Sequence, residues 1–551
     1  MPAKIITHYW EKLVKDLDWK LLVFLLLFLN VKLAVKVPAI VLIYALQFNF
    51  KFGFSLKNSR LPLFYPIAII IAVINGLLNI PVENTNYLLV WLTGIGFWVL
   101  CILAIHQIKL SVERNTIEVI HRTIVVFFVI NALFSLFNLL AIILEIHNIN
   151  PYTYQGEYQK YFIGTGDYIK GITFDTSNSN AVISAIGVIY FLDKSKPLLL
   201  LMCMGTLLLT CSNFVNIMLL CILLMLFIFK STRDQKSLIV ACLVLMVVFM
   251  VKISPQNNQY VIDTVKYSFL HEKKPAPVLP PAQIAPPAKP AKTILTPEQQ
   301  KQHIAYLYLD SVSLVLARTR KTEVVKAPVK MVTTYAGRII LPGEDINSAP
   351  YQSSTATPQE QIPLVNFINT HKNALPISGQ DNYKPSLPGK LLTILQTADL
   401  FHAHPAKITL GAGMGNFSSK LAFKATGLGV SGSYPAKFVY INPAFMANHL
   451  DLYLNFFSKR AGFHSLTNSP FSVYDQIASE YGIFGLLALF IYYFGFFASQ
   501  YQLLSYGIPL LFLMAAVFFA DYWFEQLSVV PFFELLLFLN IKEVSLVKST
   551  K

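Results

Sequence analysis

The stretch NSPFSVYDQIASEYGIFGLLALFIYYFGFF, residues 468–497, opens as the end of a water-exposed loop and closes as a membrane span. It carries Asp475, Gln476 and Glu480 right up to the apolar run. Asn468 or Ser469 can cap a helix here, with Pro470 in its first turn. Gln476 and Glu480 are four apart and share one face. Asp475 lies near the positive end of the helix dipole, where a carboxylate is favoured, so capping competes with a functional role for it. Glu480 is more than two turns in. A carboxylate at that depth faces protein or a water-filled cavity rather than lipid. Gly482 and Gly485 follow and allow close helix approach.

The rest of the chain is equally apolar. Of its 551 residues, 55% are hydrophobic and 13% charged, and the mean hydropathy is +0.54. That excludes an ordinary soluble globular protein. Runs of spanning character lie at 21–34, 36–49, 61–80, 87–106, 123–146, 180–193, 197–212, 214–230, 237–253, 477–498, 505–521 and 524–541. The expected fold is an all-α polytopic membrane protein of about twelve transmembrane helices. The first two runs are short enough for a tilted hairpin or one long helix. An even count puts both termini on one side.

Lysine and arginine choose that side. Lys4, Lys12, Lys15 and Lys20 precede the first run; Lys51, Lys57 and Arg60, then Lys109, Arg114 and Arg122, occupy alternate connections. Lys194 and Lys196, then Lys230, Arg233 and Lys236, and finally Lys542, Lys548 and Lys551 continue the pattern. These segments are cytoplasmic by the positive-inside rule; Lys32 and Lys36 are exceptions. The net charge of +15 therefore flanks spans rather than marking a nucleic-acid partner. The amphipathic, basic N-terminus lacks the short apolar core and cleavage site of a signal peptide. All five cysteines lie in apolar segments, which argues against disulfides in the polar region.

Three parts follow. Residues 1–253 form a bundle of about nine helices with a small outer loop at 147–179. Residues 254–476 form a large, mostly helical extracytoplasmic domain, and 477–551 supply the last three helices and a cytoplasmic tail. Within the large loop, 273–297 is Pro/Ala-rich and reads as a solvated, polyproline-like linker. A helix is expected over 296–320, from a Thr-Pro-Glu start into an amphipathic pattern.

Among local motifs, GAGMGNF (411–417) has Asn416 where the Rossmann spacing needs glycine, and no Lys-Ser/Thr follows as in a P-loop. A tight Gly-rich turn is the better reading. His402 and His404 are not helically spaced, and the outer histidines have no acidic or thiol cluster near them, so neither a metal nor a cofactor is expected. Exposed lysines and arginines are ordinarily solvated surface. A functional cation needs an anion, and arginine's planar fork suits a phosphate or diphosphate.

Three segments resemble the O-antigen ligase/polymerase superfamily, in order and in topological place. GITFDTSNSNAV (171–182) resembles a Gly-x-Phe segment followed by the Asn and Ala that open the next span, here Asn178 and Ala181. HPAKITLGAGMGNF (404–417) resembles a His-Pro segment running into a Gly-x-Gly-x-Gly-Asn-Phe turn. FSVYDQIASEYGIFGLL (471–487) resembles the entry helix at Tyr474, Glu480, Gly482 and Gly485. The family's His-Asn pair falls on Phe471 and Ser472, and the nearest histidine is His464. Its arginine ahead of the Gly-rich turn corresponds to Lys390. The resemblance does not cover 254–385.

The resemblance implies transfer of a glycan from an undecaprenyl-diphosphate donor to a lipid or protein hydroxyl acceptor, at the outer face of the bacterial inner membrane, without metal. Lys390, Arg338 and Arg460 are the expected diphosphate contacts. Glu480 and His464 are expected to activate the acceptor, with Asn416, Asp475 and Gln476 as further substrate contacts. Polymerase and protein O-oligosaccharyltransferase activities belong to the same superfamily. A lipid-linked sugar flippase is the other class; it would show repeated halves and broken helices, which the sequence does not display. A non-catalytic envelope scaffold is a third, because of the missing His-Asn pair.

Overall fold

The computed structural model describes residues 17–30, 32–55, 59–79, 85–154, 165–174, 176–255, 332–333, 339–340, 388–427, 434–457 and 469–549. The linker 273–297 and the helix expected over 296–320 lie outside the described residues.

The protein is a helical membrane protein. Each of the twelve apolar runs falls on a helix. Among the described residues, four helical stretches are both long and apolar enough to cross a bilayer: Asn86–Arg114, Ile117–Ile146, Arg233–Ile253 and Val473–Ala498. Six more apolar helices have 10–17 residues. The only strands among the described residues are Val332–Thr333 and Ile339–Ile340, paired antiparallel.

The first two runs are separate helices, α1 (Trp19–Phe28) and α2 (Leu33–Leu46), packed on each other. Asp18 caps α1 by accepting the Leu21 N–H at 3.0 Å. Lys36, an exception to the charge pattern, is buried and donates to the Phe28 carbonyl at 2.5 Å. It satisfies the C-terminal end of α1, so it carries no orientation signal.

The bundle continues with α3 (Phe64–Asn79), α4 (Thr85–Arg114), α5 (Ile117–Ile146), α6 (Ser177–Asp193), α7 (Pro197–Leu209), α8 (Asn213–Phe229) and α9 (Arg233–Val248). Next come α10 (Gly389–Ala403), α11 (Lys407–Leu410), α12 (Lys420–Ala425), α13 (Pro443–Asn448) and α14 (Leu450–Phe457). The chain re-enters the bundle as α15 (Val473–Ala488), which runs through a π-turn and Gly495–Ala498. It ends with α16 (Gly507–Val517), α17 (Trp523–Gln526) and α18 (Val530–Ser549). The last expected run, 524–541, thus begins as the short α17. Leu527, with φ 58°, breaks the chain before α18 starts at Val530.

Two helices form the centre. α6 is buried on all sides from Ser179 to Leu192, and α18 from Val530 to Asn540. A helix covered all round belongs to a core. Its neighbours turn large apolar side chains outward, including Leu77, Phe137 and Phe229. In a membrane protein that surface meets lipid. The turns at Thr165–Tyr168 and Gly171–Thr173 are fastened to the bundle by asparagines. Asn131 accepts the Ile172 N–H at 3.1 Å and donates to Asn180 at 2.8 Å, and Asn180 donates to the Ile169 carbonyl at 2.9 Å. Backbone groups folded over an apolar bundle need such partners.

Candidate functional site

The site is a seam between the Gly-rich turn 411–417, helix α10 and the head of α15. It exists because α15 is broken. Gly482 has φ 68° and ψ −166°, a conformation essentially restricted to glycine. The break frees the carbonyls of Ser479 and Glu480. They accept the N–H groups of Ala412 at 2.8 Å and Gly413 at 3.1 Å. Gly411, with φ 80°, is the matching piece: a Cβ there would strike the Glu480 backbone, and one on Gly482 would strike the Thr409 carbonyl. Two glycines about seventy residues apart therefore touch backbone to backbone.

Glu480 lies beneath this turn, 1% exposed. Its carboxylate accepts the Gly415 N–H at 2.8 Å and the Phe417 N–H at 3.0 Å, one on each oxygen. Of the protein or wet cavity that the sequence allowed, it faces protein: it fills a nest of backbone donors, which favours an anion. Gly411, Gly413 and Gly415 all have positive φ, as a tight turn requires. Asn416 faces protein as well. It donates to the Tyr87 hydroxyl and the Ala412 carbonyl, each at 3.0 Å, and accepts from the Tyr440 hydroxyl at 2.9 Å. Asn75 closes the turn by donating to the Leu410 carbonyl at 2.7 Å.

The N-cap of α15 is Ser472, not Asn468 or Ser469. One turn on, Gln476 donates to Glu525 at 2.7 Å, and the other oxygen of Glu525 accepts the Leu421 N–H at 3.0 Å. Glu525 was missed because it sits inside the last expected run. A carboxylate at the edge of an apolar run is the signal that marked Glu480, and it applied here too.

Lys390 and Asp475 do come together. Lys390 is 6% exposed, and its ammonium donates to the carbonyls of Phe471 and, at 3.4 Å, Ala520. Burial pushes it down to about 7, against the opposing pull of Asp521 and Asp475. Asp475 accepts from the Thr397 hydroxyl at 2.8 Å through one oxygen. Its other oxygen has no hydrogen-bond partner among the described residues and lies 3.7 Å from His449 Nε2. That separation is too long for a hydrogen bond. Burial pushes the His449 imidazole down to about 3, so it is neutral at ordinary pH. Both its nitrogens, and both amide atoms of Gln396, also lack hydrogen-bond partners among the described residues. Nothing in the spacing of His449 distinguished it from the other outer histidines. Arg338, Arg460 and His464 lie outside the described residues.

Chemically, the described part of the seam holds a buried lysine of adjustable charge, several carboxylates with Lys420 and Lys424 acting on one of them, Glu525, and a neutral imidazole. Buried polar atoms left unpaired cost roughly 1–3 kcal/mol each, so a ligand or a rearrangement that pairs them is favoured. Comparison of the chain with protein families, curated proteins and solved structures gives no match.

Proposed function

We propose that the chain is a membrane glycosyltransferase of the O-antigen ligase type. It moves a glycan from an undecaprenyl-diphosphate donor to a hydroxyl acceptor, at the outer face of a bacterial inner membrane. In this reading the chain crosses the membrane twelve times with both termini cytoplasmic. The observation that carries the reading is the seam itself. The turn 404–417 and the entry helix 471–487 interlock there around Lys390 and Glu480. The third resembling segment reaches the same end of the bundle through Ser179, 3.4 Å from Ser528 just beyond α17.

The reaction breaks the bond between the anomeric carbon and the diphosphate oxygen and forms one to the acceptor oxygen. The acceptor's proton passes to a base, for which His464 is the proposed group. Undecaprenyl diphosphate leaves with the electron pair, and Lys390, Arg338 and Arg460 stabilise its charge. No metal is required when fixed cations do this. Glu480 acts here as a positioning residue, because both of its oxygens hold the turn. The same observation favours a second reading, a non-catalytic envelope scaffold, in which the seam is purely architectural.

The test is the glycan that accumulates when the gene is deleted. Loss of surface glycan with intact lipid-linked polymer supports a ligase. Accumulation of single lipid-linked repeat units supports the polymerase variant of the same chemistry. Unchanged surface and lipid-linked glycan would overturn the transferase reading and leave the scaffold.

A further inference from the structure

Helix α10 is amphipathic the wrong way round for a helix in water. Lys390, Thr393, Gln396 and Thr397 are buried against the protein, together with Leu392 and Leu400. Leu391, Ile394 and Leu395, spaced i, i+3, i+4, face outward and are 46%, 46% and 36% exposed, and the stripe ends one turn later at exposed Asp399 and His402. This helix lies in the polar part of the sequence, well outside every apolar run of spanning length. A polar face turned inward and an apolar stripe turned outward is the arrangement expected against hydrocarbon.

The stripe also has a neighbour of known character. α10 packs on α15, one of the helices able to span the bilayer. The outward side chains of α15, Ile483, Phe484 and Leu487, are 41%, 52% and 46% exposed and belong to the lipid-facing surface. The contacts run in order along α15: Lys390 to Phe471, Thr397 to Asp475, then Ala412 to Ser479. From α10 onward the chain thus descends along the head of a spanning helix. His402, in the last turn of α10, and His404 just beyond it are exposed, Lys407 is half-buried, and exposed Ile408 follows. A polar, basic rim beside an apolar stripe suits the headgroup region.

We propose that α10 lies in the boundary between headgroups and acyl chains of the bilayer, with Leu391, Ile394 and Leu395 against lipid. The occupant of this face is the lipid of the membrane that holds the bundle. The inference stands on polarity and packing and does not need the transferase reading. If both hold, the buried face of α10, with Lys390 on it, sits at the depth of lipid phosphates.

The experiment places a nitroxide label on single cysteines at 391, 394 and 395, with controls at His404 and Lys437. It uses the full chain in phosphatidylcholine–phosphatidylglycerol liposomes, with Cys211 and Cys221 replaced by serine. Accessibility to oxygen, which concentrates in hydrocarbon, is compared with accessibility to a water-soluble nickel chelate. The expected result is an oxygen-to-nickel ratio severalfold higher at 391, 394 and 395 than at 437, with 404 nearer to 437. Nickel accessibility at 391, 394 and 395 equal to that at 437 would place the face in water and overturn the proposal. Protection from both reagents would overturn it as well: the cover would then be protein, and crosslinking from 394 would separate a second copy from residues 256–387 of the same chain. All five positions carry exposed side chains, so labelling does not depend on tolerance of a core substitution.

Discussion

Gly482 and Glu480 act on the same turn by different means, and substitutions separate them. A side chain at 482 must adopt φ 68°, at a strain of roughly 1–3 kcal/mol, and must also displace the Thr409 carbonyl. Gly482→Ala should therefore lower the melting temperature and speed amide exchange at Ala412 and Gly413; unchanged exchange there would show the glycine to be dispensable. At 480 the chemistry is donor counting. Glutamine keeps one acceptor but presents an NH2 to the second backbone N–H, so Glu480→Gln should destabilise the protein by about 1–3 kcal/mol. Glu480→Asp, which keeps both acceptors on a shorter stem, should lose less, and a thermal shift in detergent ranks the two; a Gln variant as stable as the parent would refute the nest. Lys390 gives a pH prediction. Its ammonium, pushed down to about 7, is charged below that pH and neutral above it. If its charge serves the diphosphate, transfer should fall as pH rises through 7–8, and Lys390→Arg, which cannot lose its proton, should move that limb to higher pH. A limb that stays in place in the arginine variant would assign it to another group. Lys390→Ala should lose most of the transfer.

At the scale of elements, the helices were legible because apolar runs of this length have few alternatives in lipid. Their joints were not. The run SEYGIFGLL was read as one continuous helix entry, with Gly482 and Gly485 as points of close approach. A glycine in an apolar helix serves either purpose, and what decides between them is the partner, Gly411, far away in the chain. The N-cap was misplaced by three or four residues because Asn468, Ser469 and Ser472 are all capable caps; packing chose Ser472. Of the candidate site, the juxtaposition of the Gly-rich turn with Glu480 was anticipated only through the resemblance. That Glu480 hydrogen-bonds a loop backbone was the plainer of two readings the sequence allowed; which N–H groups enclose it was not legible, because no side chain announces a nest. Lys36 shows the reverse case, a lysine that broke the topological charge pattern and is a helix-end partner.

For the whole molecule, the positive clusters make orientation testable. Cysteines replacing His404 and Lys437 should react with an impermeant maleimide in intact cells, and one replacing Arg233 should not, with Cys221 replaced beforehand; labelling at 233 would invert the topology and remove the donor from the reach of the seam. Gly413 is a poor probe, being buried at φ 92° with Asn75 and Asn416 against it. The position of α18 has a consequence for biosynthesis. The ribosome makes α18 after α1–α17, yet Val530–Asn540 occupy the middle of the bundle. Everything inserted earlier has to wait around an unfilled centre, with α6 and its Ser and Asn side chains lacking their final cover until α18 arrives. A nascent chain stopped before Val530 would have most of its apolar helices in the bilayer and no core to close on. Such chains should be recognised and destroyed by membrane proteases, so quality control for this protein reads whether α18 has been delivered.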